Sequence, residues 1–136
     1  MAAFSDYYEN KIIDHMLRGA EFTPPANIYL ALFTANTNLE INAPTAEVSG
    51  GGYAREEVTL NAASGGASEN NTNITFNTAT ANWGTVTSWA LTDSAGGTVW
   101  GTNVNVLMWG QVNTAKTVDN GDTAKVNSGE LDVSVD

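Results

Sequence analysis

The chain has 136 residues, 42% hydrophobic and only 15% charged, and its 15 acids against 5 bases give a formal net charge of −10. That size suits a single domain with a real core. The acid excess argues against a nucleic-acid partner, whose phosphates need basic side chains, and against an anionic membrane surface; the absence of cysteine excludes disulfides, thiolate metal sites and cysteine nucleophiles.

The first residues, Met-Ala-Ala-Phe4-Ser5-Asp6, lack the basic-then-apolar order of a secretory signal, and no apolar run approaches the ~20 residues of a membrane span. A helix is expected from about Asp6 to Arg18. Tyr8, Ile12, Ile13, Met16 and Leu17 recur at helical spacing. Ser5, or Asp6 with Glu9, can cap its start, while His15 and Arg18 suit its C-terminal dipole. Gly19 offers a stop, and Pro24-Pro25 forbids continuation.

Strands are expected from there on. Asn27–Ala35 places Ile28, Leu30 and Leu32 on one face and Tyr29, Ala31 and Phe33 on the other. A strand apolar on both faces is covered on both, and the N-terminal helix is the expected cover. A long polar connection, Asn36–Ser49, follows. Further strands are expected at Tyr53–Leu60, Asn73–Phe76, Thr85–Thr92, Thr98–Trp100, Val104–Trp109, Ala115–Val118, Thr123–Val126 and Glu130–Val135. Leu131, Val133 and Val135 of the last should point inward. Asp119-Asn120-Gly121-Asp122 is a tight-turn signature. Many short strands at this spacing imply an all-β fold, a jelly-roll-like antiparallel β-sandwich with one N-terminal helix. Residues 1–136 should form a single domain, with the helix at about 6–18 and the sandwich over 27–136.

Catalytic chemistry finds little footing in these residues. His15 is the single histidine, and a helix-end or interface role suits it better than general-base work, which needs a partner group close by. Glu56 and Glu57 are consecutive on a strand and so face opposite ways. The Asp119–Asp122 turn lacks the alternating oxygen ligands of a calcium loop. Ser49-Gly50-Gly51-Gly52-Tyr53 has no lysine and no helix after it, so it reads as a flexible lead into the Tyr53 strand and not as a phosphate cradle. Trp83, Trp89, Trp100 and Trp109 suit a β core first, an interface second and a sugar platform last. No catalytic residue, metal site or cofactor is expected.

Several phrases carry a resemblance. Ser5-Asp6-Tyr7-Tyr8-Glu9-Asn10-Lys11-Ile12-Ile13-Asp14-His15-Met16-Leu17-Arg18-Gly19 leads through Phe22-Thr23-Pro24-Pro25 into Ile28-Tyr29-Leu30-Ala31-Leu32-Phe33-Thr34. Glu47-Val48-Ser49-Gly50-Gly51-Gly52-Tyr53-Ala54-Arg55, Asn82-Trp83-Gly84-Thr85-Val86-Thr87 and Lys116-Thr117-Val118 before Asn120-Gly121-Asp122 follow. Over nearly its whole length the chain resembles a family of small tailed-phage virion proteins that includes capsid cement (decoration) proteins, whose relatives are often labelled tail fibre proteins. The resemblance implies a jelly-roll body with an N-terminal helix, on the capsid exterior, bridging major capsid subunits and brought together in homo-dimers or homo-trimers. It carries no catalytic residues. A tail-fibre or receptor- or glycan-binding module is the alternative. Expected contact surfaces are a helix face of Tyr7, Tyr8, Lys11 and His15 and the loops Asn36–Ser49 and Ser64–Asn71.

Overall fold

The computed structural model describes residues 2–135. The chain runs β1 (Ala2–Phe4), α1 (Asp6–Arg18), β2 (Ile28–Phe33), β3 (Glu56–Val58), β4 (Ala67–Glu69), β5 (Ile74–Thr75), β6 (Gly84–Thr92), β7 (Val106–Val118), β8 (Lys125–Val126) and β9 (Asp132–Ser134). One five-stranded sheet has the order β1-β7-β6-β2-β3, and β4–β9 and β5–β8 form separate two-stranded ladders. All pairings between these strands are antiparallel. The expected all-β sandwich with one N-terminal helix is the architecture adopted.

β2 is the strand that explains the layers. Its side chains alternate between faces. Leu30 and Leu32 enter the larger core with Phe76, Trp83, Val86, Leu91, Met108 and Leu131. Ala31 and Phe33 enter a smaller cluster with Leu39, Ala90 and Val106, flanked by Trp100 and Trp109. Both faces are therefore covered, as the sequence implies, but the cover of the second face is not α1. The helix touches β1 and β7, and none of its residues is buried. Leu39 and Trp100, delivered by the long loops after β2 and β6, fill the place instead. The helix is also held off at its root. Ser5 N–H donates to Leu107 O at 3.0 Å and Asp6 N–H to Glu40 O at 2.9 Å, and the Ser5 hydroxyl donates to Val106 O. Those bonds fix the start of the helix beside the first residues of β7.

Other differences from expectation have local causes. Val104–Trp109 and Ala115–Val118 are parts of one strand, β7. Ser88 pairs with Gln111 and Val86 with Lys116, so Thr87 alone spans Val112 to Ala115. This is an enlarged bulge, four residues against one, which the sequence shows only as the polar pair Asn113-Thr114 between two apolar runs. Thr98–Trp100 is not a strand but a bridge of Trp100 to Val104. β4 lies inside Ser64–Asn71, expected as a loop, and pairs with β9. Val135, expected to point inward, is 60% exposed; it follows the last residue of β9, Ser134.

Candidate functional site

The helix forms where the sequence places it. Ser5 is the N-cap, accepting from Tyr8 N–H at 3.3 Å, and Gly19 closes the other end at φ 68°, a left-handed turn that glycine takes without strain. Residues advance 100° each around a helix, so its sides can be separated. Tyr7, Tyr8 and Ile12 are half-buried. Tyr8 lies edge-on to Phe4 at 5.6 Å and to Phe22 at 5.7 Å. His15 Nδ1 is 3.0 Å from Ala20 O, and its ring meets Phe22 at 6.5 Å. Lys11 Nζ stands 5.7 Å from the Tyr7 ring centre. Burial pushes both tyrosine phenols upward, with Asp93 adding to the effect at Tyr7 and Tyr7 at Tyr8.

Of the four expected contact residues, then, Tyr8 and His15 are engaged with the segment that returns from the helix, and Tyr7 and Lys11 engage each other. Lys11 and His15 are nonetheless exposed, and so is the opposite side. Ile13 is 51%, Met16 71% and Leu17 81% exposed. Asp6 and Glu9 continue that same side toward the N-terminus by helical spacing, and both are exposed. The stripe is apolar and ends in two carboxylates; single exposed apolar side chains are ordinary, and contiguous ones are what contact surfaces are made of.

The carboxylates of Asp6, Glu9 and Glu40 lie within 4.8 Å of one another. Glu40 already accepts from Trp109 Nε1 at 2.8 Å, and the helix N-terminus favours negative charge there. Glu56 and Glu57 follow each other on β3, half-buried and exposed respectively, and partial burial raises the Glu56 carboxyl. Asp122 Oδ2 accepts from Asp119 N–H at 2.9 Å, so it is spent on closing its own turn.

A further group carries more structure than its sequence suggested. Arg55 donates to Glu47 through Nε at 2.7 Å and Nη2 at 2.8 Å, and through Nη1 to Ser94 O at 3.0 Å. Its guanidinium lies 5.0 Å from the Trp100 ring centre. Tyr53 OH donates to Glu47 Oε1 at 3.0 Å and accepts from Leu32 N–H at 3.0 Å. Burial and the Glu47 charge drive the Tyr53 phenol far above its ordinary range. The network ties the loop before β3, the loop after β6 and strand β2 into one unit. Sequence reasoning passed over Glu47 and Arg55 because an acid and a base eight apart in a loop have no periodic signal; only their place around Gly50-Gly51-Gly52 hinted at a shared job.

That glycine run is a fixed turn, not a flexible lead. All three glycines have positive φ. Gly51 O accepts from Trp83 Nε1 at 2.9 Å, and a Cβ on Gly51 would sit 3.0 Å from that same nitrogen. The expected contact loops are each anchored at particular residues. In Asn36–Ser49, Leu39, Pro44 and Val48 are buried, and Asn42 accepts from Val106 N–H at 2.7 Å. In Ser64–Asn71, Asn70 is fully buried; it donates to Thr72 O at 2.8 Å and Asn127 O at 2.9 Å and accepts from Leu131 N–H at 2.9 Å.

A cleft of about 440 Å³ opens where β7 bulges. Leu32, Phe76, Val86, Val112, Ala124 and Val126 line it, and Lys116 and Lys125 stand among the lining residues with Asp122. Its volume falls in the ~300–1,000 Å³ range of clefts that take small ligands or side chains. Three of the four indoles, by contrast, are occupied: Trp83 by Gly51, Trp100 by Arg55 and Trp109 by Glu40.

Two comparisons with known proteins bear on this arrangement. No curated protein matches the chain. A family model described as Podophage GP4 fiber I protein gp80 matches residues 3–134.

Proposed function

The chain belongs to the family described as Podophage GP4 fiber I protein gp80, a family of phage structural proteins, and from that premise we propose that it is a fibre subunit of the virion that acts by docking and not by catalysis. The family match over residues 3–134 carries this reading. It favours the fibre alternative over the capsid-cement placement that the resemblance alone put first. The site supports a mechanical role in a specific way. Several of the polar and aromatic groups that could serve chemistry or sugar stacking are engaged within the chain, at Trp83, Trp100, Trp109, Glu47 and Tyr53. What stays open is an apolar helix side and an apolar cleft. Such surfaces bind protein through buried area. The partners we propose are other copies of the chain and a neighbouring virion protein, with no nucleic acid and no membrane.

Immunogold labelling of intact particles with antibody against the folded chain tests the placement. Gold on the fibres is the expected result. Gold spread over the capsid shell would return the chain to cementing major capsid subunits, and unlabelled particles would remove it from the virion.

A further inference from the structure

We propose that copies of this chain join head to tail, the helix side of Ile13, Met16 and Leu17 of one copy seating in the β7–β8 cleft of the next. The inference rests on the reading of the chain as a repeated fibre subunit for its purpose, and on the two surfaces for its geometry.

Each surface lacks what the other has. The helix side is convex and apolar, and its N-terminal continuation is acidic through Asp6 and Glu9. The cleft is concave and apolar, walled by Phe76, Val86, Val112 and Val126, and Lys116 and Lys125 stand at it against the single acid Asp122. In a chain with 5 bases against 15 acids, Arg18 and Arg55 are already ion-paired within the fold. Two of the remaining three cations therefore flank this one cleft. An apolar helix stripe laid in an apolar groove is a recurring recognition mode, and opposite charges at the rim select register and partner. A parallel helix-to-helix contact between copies would instead set Asp6 and Glu9 of one against the same acids of the other, which like charges disfavour.

Ile13, Met16 and Leu17 are exposed, so the helix side does not occupy the cleft of its own chain. The root of the helix lies beside Met108, which pairs with Leu91, while the cleft residue Lys116 pairs with Val86. The root of the helix and the cleft are thus five residues of β6 apart, about 16 Å at ~3.3 Å per strand residue. A contact between different patches on successive copies is heterologous, and repetition closes into a ring or extends into a filament. Either form suits a fibre.

The test uses the full chain and two double variants, Met16→Ser with Leu17→Ser on the helix and Lys116→Glu with Lys125→Glu at the cleft. All four residues are exposed, so each variant should fold, and circular dichroism verifies that it does. Sedimentation of the unaltered chain should show association that rises with concentration, and each variant alone should weaken it by about tenfold or more. Mixing the two variants should restore one contact, a single heterodimer joining the intact helix of the cleft variant to the intact cleft of the helix variant. A chain that stays monomeric at every concentration overturns the proposal. So does association lost in the helix variant alone, which would mean that helices meet helices or that the cleft holds a small anionic amphiphile instead. The sedimentation result is separate from the gold labelling: fibre labelling with no head-to-tail contact would sink this inference and leave the fibre reading intact, and the reverse result would do the opposite.

Discussion

The loop from Thr34 to Arg55 and the helix α1 are opposites. The loop is mostly polar in sequence, yet Leu39, Pro44, Val48 and Arg55 within it are buried. The helix is rich in apolar side chains, yet none is buried. Burial is decided by what a segment can reach. The loop is pinned over the second sheet face by Leu39 in the apolar cluster and by the Glu47–Arg55 pair. The helix is rooted by Ser5 and Asp6 at the start of β7 and meets a face that other residues already fill. Its apolar stripe is surplus to the fold, and surplus apolar surface is what a docking protein displays.

The sharpest way to break the loop half of that contrast is Arg55→Ala. Removing the base leaves Glu47 half-buried without its bidentate partner, which costs ~3–5 kcal/mol and should lower the thermal midpoint by more than ~10 °C. Arg55→Lys should recover only part, because an ammonium cannot make the forked contact. A differential scanning trace decides it, and a midpoint unmoved by Arg55→Ala would show the pair to be ornamental.

Next in size is the alkaline response of Tyr53. Its phenol is raised in the folded chain by burial and by Glu47. The folded state therefore holds the proton that the unfolded state gives up near pH ~10. This contribution to stability is complete below that pH and is lost progressively as pH climbs above it. Urea midpoints should fall steeply above pH ~10 in the unaltered chain and less steeply in Tyr53→Phe. Equal slopes would remove Tyr53 from the network. Gly51→Ala follows, costing about 2 kcal/mol from its left-handed backbone and the 3.0 Å approach to Trp83. Quenched or shifted indole fluorescence at unchanged secondary structure is the expected signature.

These contrasts also mark what the sequence made legible. The helix bounds, its Ser5 and Gly19 caps and the two-faced β2 strand were readable, because capping and alternation are local and repeat along the chain. The cover over Phe33 was not. Leu39 and Trp100 are single apolar residues in polar loops, with no period to announce them. β1 and β4 are three residues each, too short for a pattern, and β4 is held in place by its ladder with β9 and by the buried Asn70 amide next to it. The bulge in β7 looked like a break because Asn113 and Thr114 are polar and exposed. The same bulge creates the cleft, so Lys116 and Lys125 could not be joined to Phe76 from sequence. On the helix, spacing separates two sides but does not say which one faces the body. Of the expected contact side, Tyr7 and Tyr8 are half-buried and Lys11 and His15 exposed; Ile13, Met16 and Leu17 on the other side are exposed as well.

The helix half of the comparison predicts the smallest change in stability and is the most direct test of the account. Met16→Ser with Leu17→Ser should leave the unfolding free energy within about 0.5 kcal/mol of the unaltered chain, as substitutions at exposed sites do, while self-association in the same samples weakens by about tenfold or more. Paired urea titration and sedimentation on one preparation measure both. A loss of several kcal/mol with association unchanged would contradict the account, because it would make the stripe part of the core and not a docking surface.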